Sequence, residues 1–255
     1  MKIVGKITVL ILILTLTFFG CSSENAPDCF QNSGEIIQEE ISLADFTAIT
    51  VFEGVKLVVR QSNTQRVVIE TGEFLRNDIS AEVIANRLVI RNENGCNFVR
   101  DFGLTTVYVS SPNIAEIRSS TGFPITSDGV LNYPSLTLLS ESFTVPEAET
   151  TDGEFNLEVN TVNLSIVSNG IAFFDIKGTT QNFNINFAAG DSRLHARDLV
   201  AQNISLFHRG SNDMLLNPQE SLSGSIVGTG DVLSFNQPPI IQVEALYKGK
   251  LLFRD

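Results

Sequence analysis

Two histidines, His195 and His208, and three aspartates at or just beyond turn glycines, Asp191, Asp213 and Asp231, are the residues whose types and spacing could do chemistry. Imidazole moves protons near neutral pH. Carboxylates repeated along one edge can bind Ca²⁺ through oxygen or serve as the acid and base of glycan cleavage. Arg193 and Asp198 flank His195, so a general-base or metal reading requires these side chains to converge on one face. The competing reading is turn chemistry, in which an aspartate beside a glycine satisfies nearby backbone N–H groups. The dense Gly-Gly-x-Gly-x-Asp spacing of calcium solenoids is missing, as are EF-hand loops, Gly-x-Ser-x-Gly elbows, P-loops and dinucleotide fingerprints. The expectation is no catalytic residue, no cofactor and no metal, with Asp191, His195, His208, Asp213 and Asp231 as a solvated polar edge.

The three cysteines carry a different chemistry. Residues 1–20 hold Lys2 and Lys6, an apolar run from Ile7 to Phe19, and Gly20 directly before Cys21, the layout of a secretory signal peptide. The run is shorter than the ~20 apolar residues that span a bilayer. A small residue before cysteine is what lipoprotein processing requires, although Phe18 stands where leucine is usual. Residues 1–20 are therefore read as a lipoprotein signal, Cys21 as the acylated N-terminus of an exported chain, and 21–34 as a polar tether. Cleavage a few residues later, with Cys21 discarded, is the alternative. Ser22 supplies no aspartate retention signal, which points to the outer membrane. With Cys21 acylated, Cys29 and Cys96 remain as an even pair, and an oxidising compartment favours a bridge between them. The alternative is a pair of unpaired buried thiols.

Net charge is −12 and becomes −14 once the two signal-peptide lysines are removed. No basic cluster follows Lys6, which excludes nucleic acid as a partner, because phosphate binding rests on neutralisation by Lys and Arg. Partners are expected to be neutral or basic, or bridged by divalent cations. Carbohydrate sites commonly present aromatic platforms; the chain has no Trp and three Tyr, and its 18 Phe fall mostly in apolar patterns that read as core.

The elements that must position these residues are strands. Val55, Leu57 and Val59, then Val83, Leu88 and Ile90, then Val107 and Val109 alternate with polar residues, a period of two that marks half-buried strands. Ser62-Asn63-Thr64, Ala85-Asn86 and Ser111-Pro112-Asn113 separate them, and Gly72–Asp78 alone could hold a helical turn. From residue 116 the pattern repeats: Gly170, Gly190, Gly210 and Gly230 recur every 20 residues, each between apolar strand segments. Earlier copies centre on Ser119–Gly122 and Ser140–Phe143, with an insertion around Pro146–Gly153. Strand, tight turn and strand at a fixed period predict a β-solenoid, since one rung cannot bury its apolar face alone; an antiparallel sandwich is the competing architecture. Glycine is expected there for its positive φ. The chain divides into an N-terminal β region (35–115), solenoid repeats (116–236) and closing strands (237–255), the last a strand pair around Lys248-Gly249.

Asp28-Cys29-Phe30, Phe46-x-x-Ile49-x-Val51 leading into Val55–Gln61, the Asn92–Arg100 segment with Cys96, the glycine turns and the ending Leu246–Phe253 resemble the head GIN domain family, described as putative auto-transporter adhesins, over roughly residues 29–255. The resemblance implies an all-β, right-handed β-helical fold with an N-terminal sheet region, and an adhesive role. Ser140–Phe143 and His208-Arg209-Gly210 depart from the family's Ser-Gly-rich turns. The leading expectation is a lipid-anchored envelope protein with a non-catalytic binding or adhesion role toward a protein or glycan. A glycan-active or glycan-binding β-helix with an acidic edge is the alternative. A third reading is an envelope protein that binds another protein through an open sheet edge.

Overall fold

The computed structural model describes residues 28–145, 147–148 and 150–254. The expected signal segment, Cys21 and the tether as far as residue 27 lie outside the described residues.

The protein is all-β, with two short 3₁₀ turns, at Asp28–Phe30 and Glu73–Asp78, and nineteen strands joined in one large curled sheet among the described residues. From Glu116 onward every strand pairing is parallel. Parallel neighbours cannot be joined by tight hairpins, so the antiparallel sandwich does not describe this part of the chain. Glu154–Ser168 lies against Phe173–Phe187, which in turn pairs with Arg193–His195 and Leu199–His208. Met214–Leu216 and Pro218–Ile226 follow, then Val232–Ser234. Residues joined by hydrogen bonds between neighbouring parallel segments stand 18 to 21 apart. One interval is longer: Ser135 pairs with Asn163, 28 residues on, because the connection between Ser135–Ser140 and Glu154–Ser168 is longer than those that follow.

Two columns of strands face one another across the core. Ile49, Leu138, Ile166, Ile185 and Leu206 point inward from one column, and Leu57, Ile125, Leu157 and Ile176 from the other. Phe155 stacks on Phe174 at 4.9 Å and 8°. In-register stacking also aligns polar side chains. The Asn182 amide donates to Asn163 Oδ1 at 3.0 Å, and the Asn160 amide to Asn132 Oδ1 at 2.9 Å.

The recurrent glycines have a reason other than the expected one. Of the four, only Gly190 has a positive φ, +85°. At Gly170 and Gly230, as at Gly190, backbone of the preceding rung lies where a Cβ would stand. Close approach between rungs thus excludes a side chain at these turns.

The N-terminal region behaves differently. Ala48–Val51 and Lys56–Gln61 join the parallel stack, but Ile36–Ile41, Arg66–Gly72 and Ile79–Ile84 pair antiparallel and close that end. Ala85 and Asn86, at φ 49° and 65°, form the two-residue turn from Ile79–Ile84 into Arg87–Asn92, the geometry that suits a right-twisted hairpin. Cys29 and Cys96 are bonded, stapling the start of the described chain to the segment after Arg87–Asn92. At the opposite end, Ile240–Ala245 and Leu251–Phe253 do not pair with each other. Each pairs parallel with an earlier strand, Pro218–Ile226 and Val232–Ser234, so the expected closing pair does not form and the two strands extend the parallel sheet instead.

Candidate functional site

Turn residues of successive rungs form the polar edge, and stacking decides what they do. The Ser211 hydroxyl donates to the Asp191 carboxylate, and the Asn212 amide to the Asp191 carbonyl. The Asp231 N–H donates to Asp213 Oδ1 at 2.8 Å, and the Lys250 N–H to Asp231 Oδ1 at 2.8 Å. Each carboxylate thereby accepts a hydrogen bond from the rung that follows it. Among the described residues no group of three or more His, Cys, Asp or Glu side chains is placed to hold a metal.

The histidines are separated by the sheet itself. His195 points outward from Arg193–His195 and meets the Phe173 ring edge-on at 4.8 Å. His208 ends its strand in the core, fully buried, with its ring 6.1 Å from that of Phe187. Its Nδ1 accepts from the Gly210 N–H at 3.4 Å, and its Nε2 has no hydrogen-bond partner. Burial lowers the His208 pKa from 6.5, against the opposing pull of the Asn212 backbone carbonyl, toward which the protonated ring would donate, and the charges of Asp213 and Asp231. A solvated His208 is therefore a corrected expectation. Asp191 and His195 share the rim of a shallow groove of about 600 Å³ with Ile171, Phe173, Arg193, Ser211 and Asn212; Asp213, Asp231 and His208 take no part in it.

A larger concavity lies over the outer faces of Ala48–Val51, Arg87–Asn92 and Ile79–Ile84. Leu88 and Ile90 face the core, so the alternation of the strand turns Arg87, Val89 and Arg91 outward together. Ser80, Glu82 and Ile84 are their cross-strand partners. With Phe52, Val145 and Glu147 they enclose an open groove of about 730 Å³. Its cations are pinned. The Arg91 guanidinium lies 3.6 Å over the Phe52 ring and pairs with Glu147 at 3.2 Å. Arg87 pairs with Glu116 at 2.7 Å and donates to Thr50 Oγ1 at 3.1 Å. Guanidinium stacked on an aromatic face gives a flat, amphipathic floor. Sequence reasoning missed this groove; the signal was the period-two placement of Arg87, Val89 and Arg91 opposite an inward Leu88 and Ile90.

No helix among the described residues is long and apolar enough to cross a membrane. A search of curated proteins finds no match. Solved structures do match over nearly their whole lengths. A putative adhesin from Bacteroides fragilis is 16% identical with a TM-score of 0.74, covering 88% of this chain and 99% of that one. A putative lipid binding protein from Parabacteroides distasonis is 17% identical with a TM-score of 0.59, covering 87% and 98%. A putative adhesin from Parabacteroides merdae is 16% identical with a TM-score of 0.54, covering 87% and 97%. At these identities the likeness concerns the fold. The family model described as putative auto-transporter adhesin, head GIN domain, matches residues 45–238, and the chain belongs to that family.

Proposed function

We propose that the chain is an exported envelope protein, held to the outer membrane by a lipid on Cys21, whose β-solenoid binds a protein or glycan without catalysis. Residues 21–34 act as the tether, 35–115 as the cap at the anchored end, 116–236 as the solenoid rungs, and 237–255 as the outermost strands. Parallel pairing at a nearly constant offset supports a right-handed solenoid, because a chain that coils returns each strand beside its predecessor. The Cys29–Cys96 bond fits an oxidising compartment.

One observation carries the binding role. The polar edge is engaged rung to rung, while the larger concavity is an open groove with an apolar floor and two pinned arginines. Such a surface supplies contact area and orientation. Many copies on one membrane would add avidity to weak single contacts. The test is a glycan-array and pull-down screen with the mature chain, repeated with Ile84→Asp and Arg91→Ala. Loss of a captured ligand in both variants, with the fold retained, supports the groove. Glycan cleavage abolished by Asp191→Ala or His195→Ala would replace this reading with the acidic-edge enzyme.

A further inference from the structure

The start of the described chain carries an apolar surface that the fold does not use. Phe30, Phe98, Val99 and Phe102 are 57%, 74%, 55% and 78% exposed, and the Phe30 and Phe98 rings lie 5.8 Å apart. The backbone beneath them is locked. Cys29 and Cys96 are bonded, and the Phe98 N–H donates to the Cys29 carbonyl at 3.0 Å. Arg100, its side chain 4% exposed, pairs with Asp28 at 2.7 Å and donates to the carbonyls of Asp28, Gln31 and Cys96. A disulfide and a buried arginine thus hold large apolar side chains out into solvent, where a patch of this kind marks a contact surface.

We propose that this knuckle is a membrane contact, in which Phe98 and Phe102 enter the interfacial layer of the bilayer that carries the anchor. The proposal rests on the reading of Cys21 as the lipidated residue. Six residues, 22–27, lie between that cysteine and Asp28, and the seven Cα-to-Cα steps at ~3.5 Å each reach at most about 25 Å. The patch is therefore confined close to the headgroups, while Ile240–Ala245 and Leu251–Phe253 end the stack away from the cap, each paired only with the rung before it. Phenylalanine on a surface beside the membrane buries its apolar ring at the headgroup–acyl boundary. Glu93 and Asp101, which flank the segment in sequence, are exposed carboxylates, so the surface suits zwitterionic lipid, and anionic lipid weakens the contact.

The chain contains no Trp, so a single introduced indole reports its own surroundings. Phe98→Trp, Phe102→Trp and, at the far end, Tyr247→Trp are placed in phosphatidylcholine vesicles that include lipid brominated near the headgroup, with folding checked by melting. The Phe98→Trp and Phe102→Trp proteins are expected to show blue-shifted, strongly quenched emission and the Tyr247→Trp protein neither, with quenching reduced when anionic lipid is added. Blue-shifted but unquenched emission from Phe98→Trp means that protein covers the patch and overturns the proposal, as does quenching no greater than that of Tyr247→Trp. The acyl mass on Cys21 is measured on the same samples. If it is missing, the anchor reading fails by itself, and quenching of Phe98→Trp by added vesicles decides the contact: its presence sustains the proposal and its absence ends it.

Discussion

At His208 the imidazole is sealed between Phe187 and the turn glycines, and burial lowers its pKa from 6.5. The unfolded chain therefore binds this proton more readily than the folded one. The contribution to stability is complete above about 6.5 and falls as pH drops from there through the folded value. Melting temperature should decline between neutral and mildly acidic pH, and His208→Phe should flatten that decline. A second titration operates at lower pH. Burial pushes the Glu141 carboxyl up, but hydrogen bonds from Thr144, Arg118 and the Phe143 N–H, together with the Arg118 charge, outweigh it and hold the pKa below 4.5. That stability is present above 4.5 and is lost as pH falls through the folded value. Both partners of this ion pair are 4% exposed, so Arg118→Met, which strands a buried carboxylate, should cost about 3–5 kcal/mol in denaturant unfolding. Adding Glu141→Leu should recover most of it. Neither site is legible in the sequence. His208 precedes Arg209-Gly210 and reads as a solvated turn, while Arg118 and Glu141 are 23 residues apart and meet because parallel strand pairing sets Arg118 opposite Leu139. Phe30, Phe98, Phe102 and Phe143 are exposed in the structure, exceptions to the reading of the 18 Phe as mostly core, since residue type alone does not say which loop it sits on.

Among elements, the glycine turns are legible in position but not in cause. Their 20-residue interval marks where the rungs turn. Their need for glycine comes mainly from the backbone of the neighbouring rung, which a single sequence does not display. Gly190 combines both constraints, a φ of +85° and the Gly170 carbonyl where a Cβ would stand. Gly190→Ala should therefore destabilise by at least ~1–2 kcal/mol from the left-handed conformation alone, read as a lowered denaturant midpoint with an unchanged slope. Gly129 also has a positive φ, +84°, but has open space around its Cβ position. Gly129→Ala should cost less than Gly190→Ala, and a reversed order would mean that rung contact contributes little. The alternation of Val55, Leu57 and Val59 identifies that strand's inward face correctly. Partner choice is harder, because Ile49 pairs with Leu88 on one side and Ile117 on the other, separations that no local pattern encodes.

For the whole molecule, the all-β class, the repeat and the Cys29–Cys96 pair are readable in the sequence, whereas the groove over Arg87–Asn92 arises where the antiparallel cap meets the parallel stack and belongs to no single segment. The bridge closes a loop with a sequence separation of 67, worth about 4 kcal/mol in the chain-entropy account. Reduction, or Cys29→Ala with Cys96→Ala, should lower unfolding free energy by an amount of that order. The same bond has a mechanical consequence. Tension applied between the N-terminal tail and a point of attachment beyond Cys96 enters at Cys29 and passes through sulfur directly to Cys96. The strands Ile36–Ile41 to Arg87–Asn92 lie inside that shunt and cannot be drawn out lengthwise while it is closed. In single-molecule stretching, reduction should release an additional ~230 Å of contour, the extended length of the 67-residue separation. Under a pull applied beyond Cys96, the strands inside the bridge thus keep their contour closed while those after it are drawn out.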